Sequence, residues 1–463
     1  MPGRSSFLAL RLVAVAPCLL FVLLASPFVR AQEDNNNDTP DAPSQESLEQ
    51  RVRILERKLE NAAEEAANRA KSGATVTAGE RGFSIKSADG SFDLKLRLLA
   101  QVDGRFVLDP EPAFNDTFLL RRLRPTFEAQ LGKYLAARLT PEFAGSGATV
   151  VDAYLDLKLT PLFVIRAGKV KGPVGLERLQ SGGSTSFIER AYPTELAPNR
   201  DSGVTLLGDY DGGVVSYAVG YYNGTADGRD AAATDVDDKK EVAARVFFEP
   251  FRNNPGIFQN LGFGLAGSTG TKLGTTVGTG GVLPQYRTPV QQTFFQYAAA
   301  VAAAGTHQRL AAQAYWYRHA LGLLGEYIES KQEIALAAAR AELEHEAWQI
   351  TASYVLTGED NAFRGVAKPS KPFAGDADAG WGAFEVVLRA TELDVDDGAF
   401  PTFANPAAQA SNALTYAAGL NWYPTANARL SVNYALTQFE GGAAAGGDRE
   451  DEKTVLARFQ ISY

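Results

Sequence analysis

Cysteine is almost absent from this sequence. Of 463 residues one is a cysteine, Cys18, and it lies within an apolar run from Leu12 to Leu24. Two arginines precede the run and Val29-Arg30-Ala31 follows it, a pattern typical of a secretory signal peptide cleaved after Ala31. We therefore predict a signal peptide over residues 1–31, with a retained anchor helix as the alternative. Without it the chain has no thiol, which excludes disulfides, thiolate catalysis and Cys-ligated metals.

Long apolar runs and histidines are also missing. No stretch of eighteen apolar residues follows residue 31, so no helical membrane span is predicted, although 45% of the residues are hydrophobic. The three histidines, His307, His319 and His345, belong to no nucleophile, metal or haem motif. We expect no enzyme activity, no cofactor and no bound metal.

An excess of basic residues is absent as well. The formal net charge is −9, and removing the three arginines of residues 1–31 leaves 42 basic and 54 acidic side chains, a net charge of −12. Binding to nucleic acid requires a basic surface, and the balance of charge here argues against such a partner.

The region after the signal peptide changes character twice. Residues 32–46 are rich in Asn, Asp and Pro and cannot bury enough apolar surface to fold, so we predict a disordered linker. In residues 47–72, apolar side chains recur alternately every four and three positions, the spacing of a coiled-coil seam; they are Leu48, Val52, Leu55, Leu59, Ala62 and Ala66. A short coiled coil of several copies of the chain is predicted, and a single amphipathic helix docked on a neighbour is the alternative.

From Phe83 onward the apolar period becomes two. In one segment Phe92, Leu94 and Leu96 alternate with Asp93, Lys95 and Arg97, and the last segment alternates in the same way up to Tyr463. Such strands place an apolar face against lipid and a polar face against water. One segment alone would also suit a soluble sandwich, but the pattern returns along the whole region. We predict an all-β fold, a transmembrane antiparallel β-barrel over residues 73–463.

The length of this region predicts the size of the barrel. About 380 residues follow Gly82, and at roughly 24 residues per strand with its loops this gives about 16 strands. A barrel of that size is expected to enclose an aqueous channel rather than a packed core. An even number of strands places both ends in the periplasm. Aromatic residues near the segment ends are candidates for the interfacial girdles: Trp381, Trp422, Tyr423, Tyr221 and Tyr222.

Several stretches resemble a known family. They include GFSIKSADGSFDLKLRLLAQVDGRF from Gly82, FLLRRLRPTFE from Phe118, VDAYLDLKLTPLFVIRAGKVKGPVGLERLQS from Val151, FIERAYPTELAPNRDSGV from Phe187 and GLNWYPTANARLSVNYALTQFEGG from Gly419. In this order they resemble the phosphate-selective porins, porins O and P, over about residues 82–463. The resemblance implies a trimeric outer-membrane barrel of 16 strands in a Gram-negative-type bacterium, narrowed by an inserted loop and lined with Arg and Lys that pass anions.

The resemblance also implies which residues line the channel. Position by position, the following match the family's pattern: Lys95, the paired Arg121 and Arg122, the acidic Asp152, Arg178 in GLERLQ and Arg190 in FIER. A family arginine corresponds here to Leu99, and Arg97 on the same face is a candidate substitute. The arginine-rich outer segment of the family is reduced to Arg287 and Arg309.

Alternation adds a separate expectation for the double arginine. Arg122 and Arg124 share a face with Thr126 and should point into the lumen, whereas Arg121 is in line with Leu119 and should lie at the membrane interface. Each lumen cation also has a simpler interpretation, in which it pairs with a nearby carboxylate and selects nothing.

Three functions remain open at this point. One is a porin for small inorganic anions such as phosphate. The second is a general diffusion porin without selectivity. The third is a structural role in which the helix of residues 47–72 lies in the periplasm and joins the homotrimer or binds the peptidoglycan cell wall. Outer-membrane lipids are expected partners in all three.

Overall fold

The computed structural model describes residues 45–80, 82–108, 115–145, 147–228, 235, 237–274, 283–366, 368–374 and 380–463. The predicted signal peptide lies outside the described residues, as does the linker except for its last two residues. A helix, α1 (Gln45–Ser72), begins two residues earlier than predicted, and its side chains are described up to residue 65. It belongs to a compact unit separate from the strands. No helix among the described residues has the length and apolarity needed to cross a bilayer.

Within the described residues, twenty strands and two short α-helices follow α1. The strands are β1 (Thr75–Gly79), β2 (Gly82–Lys86), β3 (Phe92–Val107), β4 (Thr117–Leu131), β5 (Leu135–Glu142), β6 (Thr149–Thr160), β7 (Phe163–Lys171), β8 (Arg200–Tyr210), β9 (Val215–Tyr222), β10 (Glu241–Phe248), β11 (Leu261–Gly274), β12 (Gln285–Arg287), β13 (Thr293–Gln296), β14 (Ala302–Arg318), β15 (Leu321–Leu336), β16 (Ala339–Val355), β17 (Ala383–Asp394), β18 (Ala410–Thr425), β19 (Ala428–Gly441) and β20 (Glu452–Ser462). The helices α2 (Leu176–Leu179) and α3 (Pro193–Leu196) lie between β7 and β8.

Sixteen of the described strands form a closed antiparallel barrel, which confirms the predicted fold class. They are β3 to β11 and β14 to β20, each paired with its neighbour in sequence. Pairing of β20 with β3, from Thr454 opposite Val107 to Ser462 opposite Leu99, closes the ring. Beyond the end of β20, β2 continues along the same edge of β3, and β1 pairs with β2. Closure leaves no free edge within the ring, so backbone polar groups are satisfied where lipid surrounds the wall.

The predicted alternation is seen along the strands. On β20, Phe459 and Ile461 point outward, whereas Arg458 and Gln460 are buried inside. The five candidates for the aromatic girdle do not all face outward. Trp381 and Tyr221 are exposed, but Tyr222 and Tyr423 point inward. The Tyr222 hydroxyl forms a hydrogen bond with the Thr205 hydroxyl, and the Tyr423 hydroxyl donates to the Glu385 carboxylate. Adjacent residues of a strand lie on opposite faces, so Tyr221 and Tyr222 cannot both face lipid.

The lumen is not the open channel that barrel size alone suggests. Residues 172–199, with α2 and α3, and the hairpin of β12 and β13 both pack inside, against inward side chains of β14 to β19. The buried cluster includes Tyr192, Tyr286, Phe294, Phe295, Ile328, Leu343, Leu393 and Phe439. These strands are apolar on both faces where the segments pack. Part of the lumen is therefore a hydrophobic core like that of a soluble protein, and a polar cavity remains along the opposite wall.

Candidate functional site

A polar cavity of about 990 Å³ lies between the inner wall of β3 to β8 and residues 179–184 of the inserted segment. Seven basic side chains line it: Arg97, Arg124, Arg138, Arg166, Lys171, Arg200 and Arg364. Its acidic lining side chains are Glu80, Glu128 and Asp152. Among the described lining residues, basic side chains outnumber acidic ones by four, so the lining is basic although the whole chain is acidic. A partly enclosed lumen concentrates such a field on a passing ion.

Ion pairs hold many of these cations in place. Arg200 Nε donates to Asp152 Oδ1 at 2.8 Å, and Arg166 donates two hydrogen bonds to Asp156 at 2.7 and 2.9 Å. Arg97 lies 3.2 Å from Glu128 and Arg138 lies 3.3 Å from the other oxygen of the same carboxylate. The pairs fix the direction of each guanidinium, and the remaining N–H groups are left for water or a ligand.

Arg124 and Lys95 lie on the same inner wall but border different recesses. Arg124 Nε donates to Glu142 Oε2 at 2.5 Å while its side chain still lines the cavity. Lys95 lies 3.3 Å from Asp93, is nearly half exposed and borders a smaller recess of about 220 Å³. Both point inward, as alternation predicts.

The double arginine of β4 departs from the alternation. A bulge changes the register with β3, because Gln101 opposes Arg122 whereas the next residue, Val102, opposes Leu120. The extra residue lets Arg121 point inward beside Arg122, so the expectation that Arg121 lies at the membrane interface is wrong. Arg121 Nε instead donates to Glu189 Oε1 at 2.7 Å.

Arg122 is almost completely buried. Its Nη1 donates to Gln101 Oε1 at 2.6 Å, and Gly182 lies flat against the guanidinium, where a Cβ would come within 3.2 Å of Cζ. Within the described part of the chain Arg122 forms no ion pair. It therefore adds positive charge behind the cavity, covered by the backbone of Gly182.

The two arginines of the inserted segment bind backbone. Arg178 is 3% exposed, and its Nη2 donates to the carbonyls of Thr194, Ala197 and Gly228. Arg190 donates to the carbonyls of Glu177 and Gln180 at 2.9 and 2.8 Å. Arg178 thus lies away from the cavity. Its hydrogen bonds to backbone carbonyls hold the inserted segment in place.

Arg309 and Arg287 do not form an outer ladder. Arg309 is buried and donates to Asp227 at 2.5 Å and to Glu241 at 2.8 Å. Arg287 Nη2 donates to Gln285 on its own hairpin. The carboxylate of Asp227 joins this network to Ser330, so it ties residues 223–228 to the inner wall.

Sequence reasoning missed five cavity cations, Arg138, Arg166, Lys171, Arg200 and Arg364. Alternation could have placed Arg138, which lies opposite Glu128 in the ladder. Lys171 Nζ donates to the carbonyl of Gln180 at 2.7 Å, and Arg200 begins the strand after the inserted segment. Both flank a loop that enters the lumen, which is the signal that could have identified them.

Comparison with known sequences agrees with this geometry. Residues 98–463 match the family described as phosphate-selective porin O and P. The chain belongs to this family. It is therefore a porin of the outer membrane. No curated protein matches this porin closely enough to count as a relative.

Solved structures share its fold at low identity. The outer membrane channel DcaP of Acinetobacter baumannii is 11% identical, with a TM-score of 0.52 over 84% of this porin and 100% of DcaP. OmpT of Vibrio cholerae in its trimer form is 11% identical, with a TM-score of 0.50 over 81% of this porin and 100% of OmpT. At such identity the likeness is one of fold.

Proposed function

We propose that this porin admits small anions by passive diffusion, with phosphate or related oxyanions preferred. The observation that carries the proposal is the excess of basic over acidic side chains along the cavity. An anion in a narrow passage loses part of its hydration, and guanidinium and ammonium donors replace the lost hydrogen bonds. Arginine suits tetrahedral oxyanions because its planar fork donates two hydrogen bonds. The family name supports phosphate as the solute.

The paired state of the cations limits how tightly an anion is held. Arg97, Arg138 and Arg200 each share a carboxylate, so an entering ion meets several partly neutralised donors in sequence. Weak sites in series allow the ion to leave again. A non-selective porin is the competing function, and it would follow if these pairs cancelled the field.

The test is a planar bilayer measurement on the purified porin. Under a KCl gradient we expect a reversal potential of the sign for chloride permeation, and chloride conductance should fall as inorganic phosphate is added. A potential near zero or of the opposite sign, without a phosphate effect, would assign the general diffusion function instead.

A structural role for α1 is the second candidate. The side chains of Leu48, Val52, Leu55 and Leu59 are all exposed along one seam of the helix. An uncovered apolar seam in heptad spacing favours association with other copies. We place α1 in the periplasm, where it would join a homotrimer or contact peptidoglycan, while the outward apolar faces of the strands contact outer-membrane lipids. The trimer form of OmpT supports a trimer.

A further inference from the structure

Glu189 lies at the point where the inserted segment presses on the inner wall. Backbone contacts hold it there: Asn433 Oδ1 accepts from Ile188 N at 2.8 Å, and Arg458 Nη1 donates to the Ile188 carbonyl at 2.7 Å. Arg389 Nη1 donates to the carbonyl of Glu189 itself at 3.0 Å. The backbone is therefore fixed without help from the Glu189 carboxylate.

The carboxylate of Glu189 accepts hydrogen bonds from Arg121 and Arg105, and we call the donor groups of these two side chains the fork. Arg121 Nε donates to Oε1 at 2.7 Å and Arg121 Nη2 to Oε2 at 3.3 Å, and Arg105 Nη2 donates to Oε1 at 3.3 Å. Two bonds from one guanidinium to two oxygens of one anion is the arrangement by which arginine binds carboxylates and phosphates alike.

Two further arginines, Arg122 and Arg458, lie next to this fork. Arg458 is committed to Asp103 through two hydrogen bonds of 2.6 and 2.7 Å and lies 3.9 Å from Glu189. Arg122 is adjacent in sequence to Arg121 and has no carboxylate partner among the described residues. Among the described residues the carboxylates of this cluster are Asp103 and Glu189, and Glu189 belongs to the inserted segment.

The fork is not completely enclosed. Glu189 is nearly buried, but the Arg121 side chain keeps 17% of its surface exposed. Arg121 is therefore the most accessible arginine of the cluster, because Arg105, Arg122 and Arg458 are more deeply buried.

We propose that Glu189 is a specificity-determining residue that acts as an internal counterion: its carboxylate occupies an oxyanion site formed by Arg105 and Arg121 and thereby weakens phosphate binding. The inference rests on the proposed anion function and identifies what sets its strength. Because the fork already matches an oxyanion, removing the carboxylate leaves a site shaped for a tetrahedral anion rather than a disordered gap. Without the Glu189 carboxylate, phosphate would bind tightly and leave slowly, whereas in the parent porin it binds weakly and passes quickly.

The experiment compares the full chain with Glu189→Ala and Glu189→Gln in planar bilayers, with inorganic phosphate as the probe. Ala vacates the site, whereas Gln keeps the size and removes the charge. We expect Glu189→Ala to lower the phosphate concentration that halves the chloride current by about tenfold, since the three arginine donors that Glu189 engages become available to the anion. Glu189→Gln should raise the preference for anions with a smaller gain in phosphate block.

Glu142→Gln is the matched control, because it removes one lumen carboxylate from Arg124 without exposing the fork. An equal gain in phosphate block for this variant would show a general charge effect and overturn the proposal. An unchanged block in Glu189→Ala, in a parent that prefers anions, would also overturn it. If the parent porin shows no anion preference, the proposed function fails. An anion preference that then appears only in the Glu189 variants would still support the counterion role. If the Glu189 variants also show no anion preference, both the proposed function and the counterion role are overturned. Heat-modifiable gel mobility checks that each variant has folded.

Discussion

Several basic side chains of the cavity form ion pairs with carboxylates, and one such pair is Arg200 with Asp152. Replacing Arg200 by Gln leaves the carboxylate facing the cavity, so we expect the anion-to-cation permeability ratio to fall roughly two- to fivefold. Asp152→Asn should raise the ratio by a similar factor because it frees Arg200. Reversal potentials under a KCl gradient measure both. A shift of the same sign in the two variants would contradict a direct electrostatic role.

Arg178 should behave differently, because it binds three carbonyls away from the cavity. Arg178→Ala leaves buried carbonyls without a donor, at about 1–3 kcal/mol each. We expect faster proteolysis of the inserted segment in detergent, with a permeability ratio close to that of the parent porin. Arg97→Ala, which changes an exposed cavity cation, is the comparison: the ratio should fall and proteolysis stay unchanged. A large loss of selectivity in Arg178→Ala with normal proteolysis would instead show that Arg178 lines the channel.

How far side-chain positions follow from sequence depends on where the residue lies. Alternation correctly predicted that Lys95, Arg97, Arg122 and Arg124 point inward, since period two is enforced by the ladder. It failed at Arg121, because a bulge adds one residue and reverses the faces beyond it. It says nothing of Arg178, whose surroundings come from contacts between distant segments.

Among the larger elements, the inserted segment of residues 172–199 depends on Gly175. Its φ of +89° is unfavourable for other residues, and a Cβ there would lie 2.8 Å from Ala197 Cβ and 2.9 Å from Arg178 Cβ. We expect Gly175→Ala to displace α2 and to change single-channel conductance. Gly132→Ala is the control, because it has φ of +68° but no atom within 4 Å of the added Cβ. Equal changes in both variants would point to backbone strain rather than steric displacement.

The segment of residues 223–228 is held by an ion network that resists acid. Burial raises the pKa of Asp227, but Arg309 and His307 with the hydrogen bonds of His307 and Ser330 outweigh it and hold the pKa well below its usual range. A depressed folded-state pKa gives stability that is present above the unfolded pKa and is lost only as pH falls through the folded value. The hydrogen-exchange protection factors of residues 223–228, which are corrected for the intrinsic pH dependence of exchange, should therefore be similar at pH 7 and pH 4. Asp227→Asn should lower them at both pH values, whereas lower protection of the parent porin at pH 4 would contradict the network.

Strands were easier to predict than the segments between them. The number of strands follows from length and period, and the structure confirms sixteen. The family resemblance implied one inserted loop, but alternation and length did not reveal how far the lumen is filled, because that burial depends on contacts with inward apolar residues such as Ile328 and Leu343 on distant strands. Those side chains are visible in the sequence only as strands that are apolar on both faces.

The molecule as a whole is acidic while its cavity is basic, and this contrast limits what composition can say. A net charge of −9 includes outward and exposed carboxylates that do not face the passage. Selectivity depends on the few charges within a Debye length of the ion, about 8 Å at physiological ionic strength. The acidic composition argues against nucleic acid as a partner but carries no information about the solute.

Assembly is the property that α1 is expected to control. Its seam is uncovered, with Leu55 62% and Leu59 75% exposed. Beside the seam, Arg51 and Glu56 occupy flanking heptad positions that would meet between parallel copies, where opposite charges attract. Deleting residues 44–72 should lower the temperature at which the oligomer dissociates in detergent, while single-channel current and permeability ratio stay unchanged.

Leu55→Asp is the milder form of the same test, because it places a charge in the seam and leaves the helix length intact. We expect it to reproduce most of the loss of oligomer stability, whereas Arg57→Asp, away from the seam, should have little effect. Binding of the porin to purified peptidoglycan separates the two roles of the helix. Lost binding with an intact oligomer would assign α1 to the cell wall, and normal binding with an intact oligomer after the deletion would leave α1 without either role.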